Sequence, residues 1–349
     1  MKSVCLDIGS VASSVKPAAI ARARAHAGVP VHGTVGVGVG ETVRSSLEAP
    51  EAVLRAAELW RPAALPRKLR AIRARARAIA AGLTLDATDP LCAAELALLE
   101  DDALIERFVE ALAPLIHRPA LVDGGYFEAV ARGPDPIVFE GAQGVLLDEW
   151  RGFHPHTTWS TCTAARPLEM LEGTGREAVR LGVVRSYLTR HGQGPFPSEW
   201  GDLETRTPEP HNGDAGWQGG FRRGWLDGVL LRYALECAPM DALVVTHLDR
   251  IDASWRAVDR YEGLLRNRLP LGGPEDLDHQ SALTSHLNEV GVGTVSVGSE
   301  AALLRFVEDV SGLPVSLRSH GPRANVCRRR GTRSGVLVAP RAVAAASAG

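Results

Sequence analysis

The chain predicts an α/β fold with a mainly parallel central sheet flanked by helices. Three observations carry this. Short apolar runs such as ALVVTHL, Ala242 to Leu248, have the length and β-branched content of buried strands. Helical stripes alternate with them, as at Glu300 to Val310. The alternation continues without an internal repeat, a pattern that favours parallel pairing through crossovers.

Taken in order, Ser3 to Ile8 reads as a short strand, and KPAAIARARAHAG after it as a helix leading into a glycine-rich loop. Leu65 to Ala81 is a strong helix, with Leu65, Leu69, Ile72 and Ile79 on one stripe and arginines on the solvated face. A second helix is expected over Leu91 to Leu112. Ile137 to Phe139 and Leu181 to Tyr187 read as buried strands, and Trp225 to Cys237 as a helix. The helix from Glu300 leads into a strand from Pro314 to Arg318. Residues 1–327 are expected to form a single domain and 328–349, biased in composition, a flexible tail.

Composition narrows the function classes. The formal net charge is −2, which disfavours a dedicated polyanion binder. Mean hydropathy is −0.03, and no apolar run is long enough to cross a bilayer. MKSVCLDIGS lacks a signal-peptide layout, so a soluble cytoplasmic protein is expected, without membrane or nucleic-acid partners. Lys2, Lys16 and Lys68 are the only lysines, so lysine chemistry has three possible positions. The scattered cysteines form no CxxC or Cys/His cluster, and neither disulfides nor structural zinc is expected.

Five segments could carry chemistry. HGTVGVGVGET, His32 to Thr42, can nest an anion on consecutive backbone N–H groups or be an ordinary turn; without a lysine after its last glycine it is not a Walker loop. TRHGQGPFPSEW, Thr189 to Trp200, is a loop shaped by prolines and glycines after a strand, where open α/β sheets bind ligands. THLD, Thr246 to Asp249, offers a carboxylate that can accept paired hydrogen bonds from guanine or serve as a cap. Asn212 to Gly228 is a polar loop leading into a helix, and its Gln218, Arg222 and Arg223 could meet acidic groups. SHGPR, Ser319 to Arg323, could close over a base or simply turn. Beside these, Pro136 to Trp150 (PIVFEGAQGVLLDEW) frames one long amide, Gln143, with small residues.

Together these pieces resemble the adenylosuccinate synthetase family. EGAQG followed by LLD, Glu140 to Asp148, is similar to the family's EGAQGTLLD. TRHGQGPFPSE is similar to TRVGAGPFPTE, GTVGVGVG to GTTGRGIGP, RRGWLD to RTGWLD, THLD to TKLD and SHGPR to STGPDR, in the same order from about Cys5 to Arg323. The resemblance implies a P-loop-NTPase-related fold. It also implies a C–N ligase in which GTP phosphorylates the 6-oxygen of IMP and the amino group of aspartate displaces that phosphate. Gln143 would hydrogen-bond the purine as charge builds at its 6-oxygen. Gly33, Thr34, Thr158, Gln218 and Arg222 would serve the substrate nucleotide, with Thr34 and Thr158 on its 5′-phosphate. Arg44 would reach the neighbouring subunit's nucleotide in a homodimer. His247, Asp249, Ser319, Gly321 and Pro322 would form the GTP base site. GTP and Mg2+ are the expected cofactors, and purine nucleotide biosynthesis the expected process.

The sequence departs from the family in two respects. The family's GDEGKGK and GGxNAGHT segments, which supply its general base, general acid and magnesium ligands, have no counterpart here. The fold is therefore expected to lack its N-terminal strands. The chain is then a truncated product, the partner of a separate N-terminal polypeptide, or a nucleotide binder that has lost the reaction. Secondly, Gly219, Gly220 and Phe221 stand where the family's TTGRRRRTGWLD loop has arginines, leaving the purine and the amine open. This loop is similar to that of phage enzymes acting on dGMP.

Overall fold

The computed structural model describes residues 22–24, 28, 36, 38–116, 122–210, 212, 219–322 and 327–329. The expected strand at Ser3 to Ile8 lies outside them, as does most of the helix after it, of which 22–24 are helical. The chain divides into two compact units. One is Met1–Val138 with Thr158–Ser160 and Asp214–Gly220; the other is Phe139–Thr157, Thr161–Gly213 and Phe221–Gly349.

The first unit is helical in its described residues. Its helices are α1 (Val39–Glu48), α2 (Leu65–Ala81), α3 (Pro90–Glu100), α4 (Ala103–Ile116) and α5 (Gly124–Arg132). The glycine-rich loop expected through Thr42 ends earlier, because α1 starts at Val39 after Gly38 at φ 84°. In α2 a proline in the first turn presets the backbone, and Leu65, Leu69 and Ile72 bury against Leu54, Leu59, Ile105 and Leu112. The arginine face of α2 is not simply solvated. Arg73 is buried, donates to the Asp101 carbonyl at 3.1 Å and pairs with Asp102. Arg70, Arg75 and Arg77 pair with Glu106, Glu48 and Glu100. The single helix expected over Leu91 to Leu112 is two, α3 and α4. They break at Asp101, whose carboxylate accepts from the Ala103 N–H at 3.0 Å.

The second unit holds the sheets. Its elements are α6 (Ala165–Leu171), β1 (Leu181–Arg185), β2 (Tyr187–His191), α7 (Leu203–Arg206), β3 (Phe221–Asp227), α8 (Gly228–Cys237), β4 (Ala242–Thr246), β5 (Arg256–Tyr261), α9 (Leu277–Glu289), β6 (Val292–Ser296), α10 (Glu300–Ser311), β7 (Val315–Ser319) and β8 (Cys327–Arg329). One sheet runs β1-β4-β7-β8, its first three strands parallel and β8 antiparallel. The other runs β2-β3-β5-β6, with only β3 and β5 parallel. Helices α8 and α10 pack on each other and on β5 and β7, and one apolar core joins Trp225, Leu226, Val229, Leu243, Val245, Trp255 and Leu303. The fold is α/β with a parallel sheet flanked by helices.

Three expected elements are corrected. Leu181 to Tyr187 is not one strand. At Ser186, fully buried, the chain leaves the first sheet for the second: the Ser186 N–H completes the ladder onto the Thr246 carbonyl at 3.0 Å, while its own carbonyl accepts the Trp255 indole N–H at 3.0 Å. Trp225 to Asp227 extends β3 rather than starting a helix, because Asp227 caps α8 by accepting from the Val229 and Leu230 N–H groups at 2.9 and 3.0 Å. The same correction applies to Asn212 to Gly228, whose second half is strand. Ile137 to Phe139 is not assigned as a strand among the described residues, and Val138 is 81% exposed.

Asp227 is fully enclosed, with the Tyr261 hydroxyl donating to it at 2.7 Å. Burial outweighs these bonds and pushes its carboxyl up to about 6. A raised folded pKa means that its contribution to stability is complete below about pH 3.8 and is lost as pH rises through about 6. Comparing urea unfolding of the parent and Asp227→Asn, the free-energy gap should move in the variant's favour by up to roughly 3 kcal/mol between pH 4 and 6.5. A gap that stays constant with pH contradicts the assignment.

Candidate functional site

The segment around Gln143 is built on one carboxylate. Asp148 is 2% exposed and accepts three backbone N–H groups: Trp150 at 2.9 Å, Arg151 at 3.0 Å and Cys162 at 2.6 Å. The turn it closes requires glycine at 152, where a Cβ would lie 2.6 Å from the Asp148 carbonyl oxygen. The following residues are tied to α8 and α9: the Tyr233 hydroxyl donates to the Arg151 carbonyl at 2.8 Å, and the Thr284 hydroxyl to the His154 carbonyl at 2.7 Å. On this base Gln143 is exposed in the left-handed region at φ 64°, and the Cys162 thiol donates to its Oε1 at 3.6 Å. A non-glycine residue held there is strained by about 1 kcal/mol, a feature that clusters at functional sites.

The loop after β2 is held by two arginines. Arg222, on β3, grips Glu199 through Nε and Nη2 at 2.9 and 2.5 Å, and its Nη1 donates to the carbonyls of Gly192 and Gly194, both at 2.9 Å. Arg190 donates to the carbonyls of Gln193 at 2.9 Å and His156 at 3.1 Å. Burial and the neighbouring Arg222 cation pull its pKa down to about 10. Gly224 completes the fit, since a Cβ there would meet the Ser198 carbonyl oxygen at 2.5 Å. Arg190 and Glu199 lay inside the motif that marked this loop, but no sequence signal assigned them the task of shaping it.

The C-terminal ends of β1, β4 and β7 converge at one sheet edge. Val245 is in register with Arg318 and Arg185 with Thr246, so THLD and SHG leave the sheet side by side. His247 is left-handed at φ 59° and sits edge-on to Tyr187, its Nδ1 2.9 Å from the Thr246 hydroxyl. Burial, then the Arg185 cation, lowers its pKa, which favours the neutral ring. Asp249 is exposed, with Arg250 Nε 3.3 Å away. The Ser319 hydroxyl donates to the Gly321 carbonyl at 3.1 Å, and exposed Pro322 follows. Two networks that sequence reasoning missed brace this edge. Glu300 accepts from His320 at 2.9 Å and pairs with Arg318 at 3.5 Å. Glu209 takes the Tyr187 hydroxyl at 2.7 Å and Arg185 at 2.6 Å. Burial raises its carboxyl, but these two partners outweigh burial and hold it below the ordinary value.

The structure thus brings His247 and Asp249 together with Ser319 and Gly321. Gly33, Thr34 and Gln218 lie outside the described residues. Thr158, half-buried, and Arg44, on α1 with Glu41 4.0 Å away, belong to the first unit. Among the described residues no group of three His, Cys, Asp or Glu side chains converges to hold a metal ion. These residues alone do not make a magnesium site.

The family model described as adenylosuccinate synthetase matches residues 15–259. The chain belongs to the adenylosuccinate synthetase family. The adenylosuccinate synthetase of Aquifex aeolicus is 34% identical over 214 residues, 54% of this chain and 47% of that protein. That of Myxococcus xanthus is 35% identical over 227 residues, 61% of this chain and 51% of its own length. The chain therefore spans about half the length of the curated relatives it matches. A fully ligated adenylosuccinate synthetase from Plasmodium falciparum superposes with TM-score 0.63 at 18% identity, covering 86% of this chain and 71% of that one, a likeness of fold. No described helix is long and apolar enough to cross a membrane.

The strain at Gln143 gives a test of its backbone. Gln143→Gly should be more stable than Gln143→Ala by about 1 kcal/mol, because only glycine accepts positive φ without cost. Thermal unfolding of the two variants measures this; an alanine variant that is the more stable contradicts the left-handed assignment.

Proposed function

We propose that the chain carries purine-nucleotide sites of an adenylosuccinate synthetase-like C–N ligase, joining aspartate or another amine to the 6-position of IMP or a related purine nucleotide at the expense of GTP. Supporting this most is the meeting of His247 and Asp249 with Ser319 and Gly321 at the carboxyl edge of a parallel sheet, where such folds bind ligands. There Asp249 reads the ring N–H and exocyclic amine of guanine, and the 319–322 turn flanks the base. The neutral His247 makes this a less cationic pocket than one built with lysine.

Gln143 faces the substrate purine. As the 6-oxygen gains charge, the Nε2 donors stabilise it, a fixed-dipole effect typically worth about 3 kcal/mol per donor. Thr34 and Thr158, with Gly33 and Gln218, hold the substrate nucleotide, and Arg44 reaches the nucleotide of a second copy in a homodimer. Arg222 keeps the 192–199 loop in shape.

A second reading is a homologue that binds purine nucleotides without turnover. It is favoured by Arg222, whose guanidinium is engaged by Glu199 and two carbonyls, and by three small or aromatic residues, Gly219, Gly220 and Phe221, immediately before it. Phosphate release from GTP in the presence of IMP and a panel of amino acids separates the two readings.

The base site is tested by calorimetry. GDP should bind at least about tenfold more tightly than ADP, and Asp249→Asn should abolish that preference, since a charge-assisted pair to guanine is lost. Equal affinity for GDP and ADP in the parent chain sinks the proposed base site.

A further inference from the structure

A side-chain amide donates from one end and accepts at the other, so Gln143 can serve a developing oxyanion only in one of its two flipped orientations. The structure contains a group that favours one of them. The Cys162 thiol, a donor, lies 3.6 Å from Gln143 Oε1. Cys162 is itself fixed: its N–H is bound at 2.6 Å by the buried Asp148 carboxylate, and the Thr161 hydroxyl donates to Glu149 at 2.9 Å. The same Asp148 carboxylate holds the Trp150 and Arg151 N–H groups, so the two loop segments have a common anchor.

We propose that Cys162 is a positioning residue for Gln143. Its S–H draws Oε1 towards the 160s segment and thereby turns the Nε2 donors away from it, the orientation in which the amide can meet the 6-oxygen of a purine. Reversing the amide would replace the S–H···O bond by an N–H aimed at the sulfur, a weak acceptor. The inference rests on the reading of Gln143 given above and adds to it the residue that sets the amide's direction. Serine keeps a donor at this place. Alanine and valine remove it, valine without leaving a void.

The test is a double-mutant cycle on the full chain, read as IMP affinity by calorimetry, with thermal midpoints confirming that each variant folds. Cys162→Ala should weaken IMP binding about threefold to tenfold, the scale of one neutral hydrogen bond. Cys162→Ser should stay within about twofold of the parent, and the alanine change should add nothing in a Gln143→Ala background. Should Cys162→Ala not fold, Cys162→Val takes its place. If Gln143→Ala binds IMP as the parent does, the reading of Gln143 fails and this proposal falls with it. If Gln143→Ala is weakened but Cys162→Ala and Cys162→Val are not, the proposal alone is overturned. Equal losses in serine and alanine variants, or a loss that persists without Gln143, assign Cys162 to packing and also overturn it.

Discussion

The carboxylate of Asp148 is the constraint on which the Gln143 region depends. An ionised group taken out of water is costly unless its hydrogen-bonding capacity is met. Here three backbone N–H groups meet it, two from the turn that follows and one from fourteen residues downstream. Charge-assisted bonds of this kind are stronger than neutral ones and fix geometry as well as energy. They bring Cys162 beside Gln143 and close the turn that only Gly152 fits. The exposed amide is therefore held by a buried anion at one remove, with α8 and α9 fastening the far side of the loop.

Arginine chemistry shapes the rest. Arg222 and Arg190 point their planar donors at carbonyls of the 190s loop, and Arg222 adds a two-pronged grip on Glu199. Five donors in a rigid fork suit this work in a way that lysine does not. The same use appears on α2, where arginines whose sequence reads as a solvated face are paired with acidic side chains of their own unit. Guanidinium groups here largely organise protein rather than await ligand. This favours a small-molecule site at the sheet edge over a nucleic-acid surface.

Much of the sheet could be read from residue order. The ALVVT run, the helix from Glu300 and the stripe on α2 each bury the side their periodicity selects, because local propensity and tertiary packing agree there. The failures lie where a distant partner decides. Nothing within Leu181 to Tyr187 announces that Ser186 will hand its carbonyl to Trp255, 69 residues on. Ile137 to Phe139 has strand-forming side chains, yet a strand is decided by its neighbour in a sheet, which local sequence does not name. Asp227 is more legible: an aspartate directly before GVLLRY is an N-cap signature that starts the helix at Gly228. At the site, motifs located Gln143, Asp249 and Ser319. The supporting set, Asp148, Arg190, Glu199, Glu209 and Glu300, emerges from three-dimensional contacts, many of them between residues far apart in the chain.

The most direct test of the account is the side-chain amide resonance of Gln143, assigned by its loss in Gln143→Ala and followed in the 15N-labelled chain as IMP is added. The account predicts that both Nε2 protons shift together, saturably, at the concentrations where calorimetry records binding. Saturable IMP binding that leaves those two signals unmoved would contradict it.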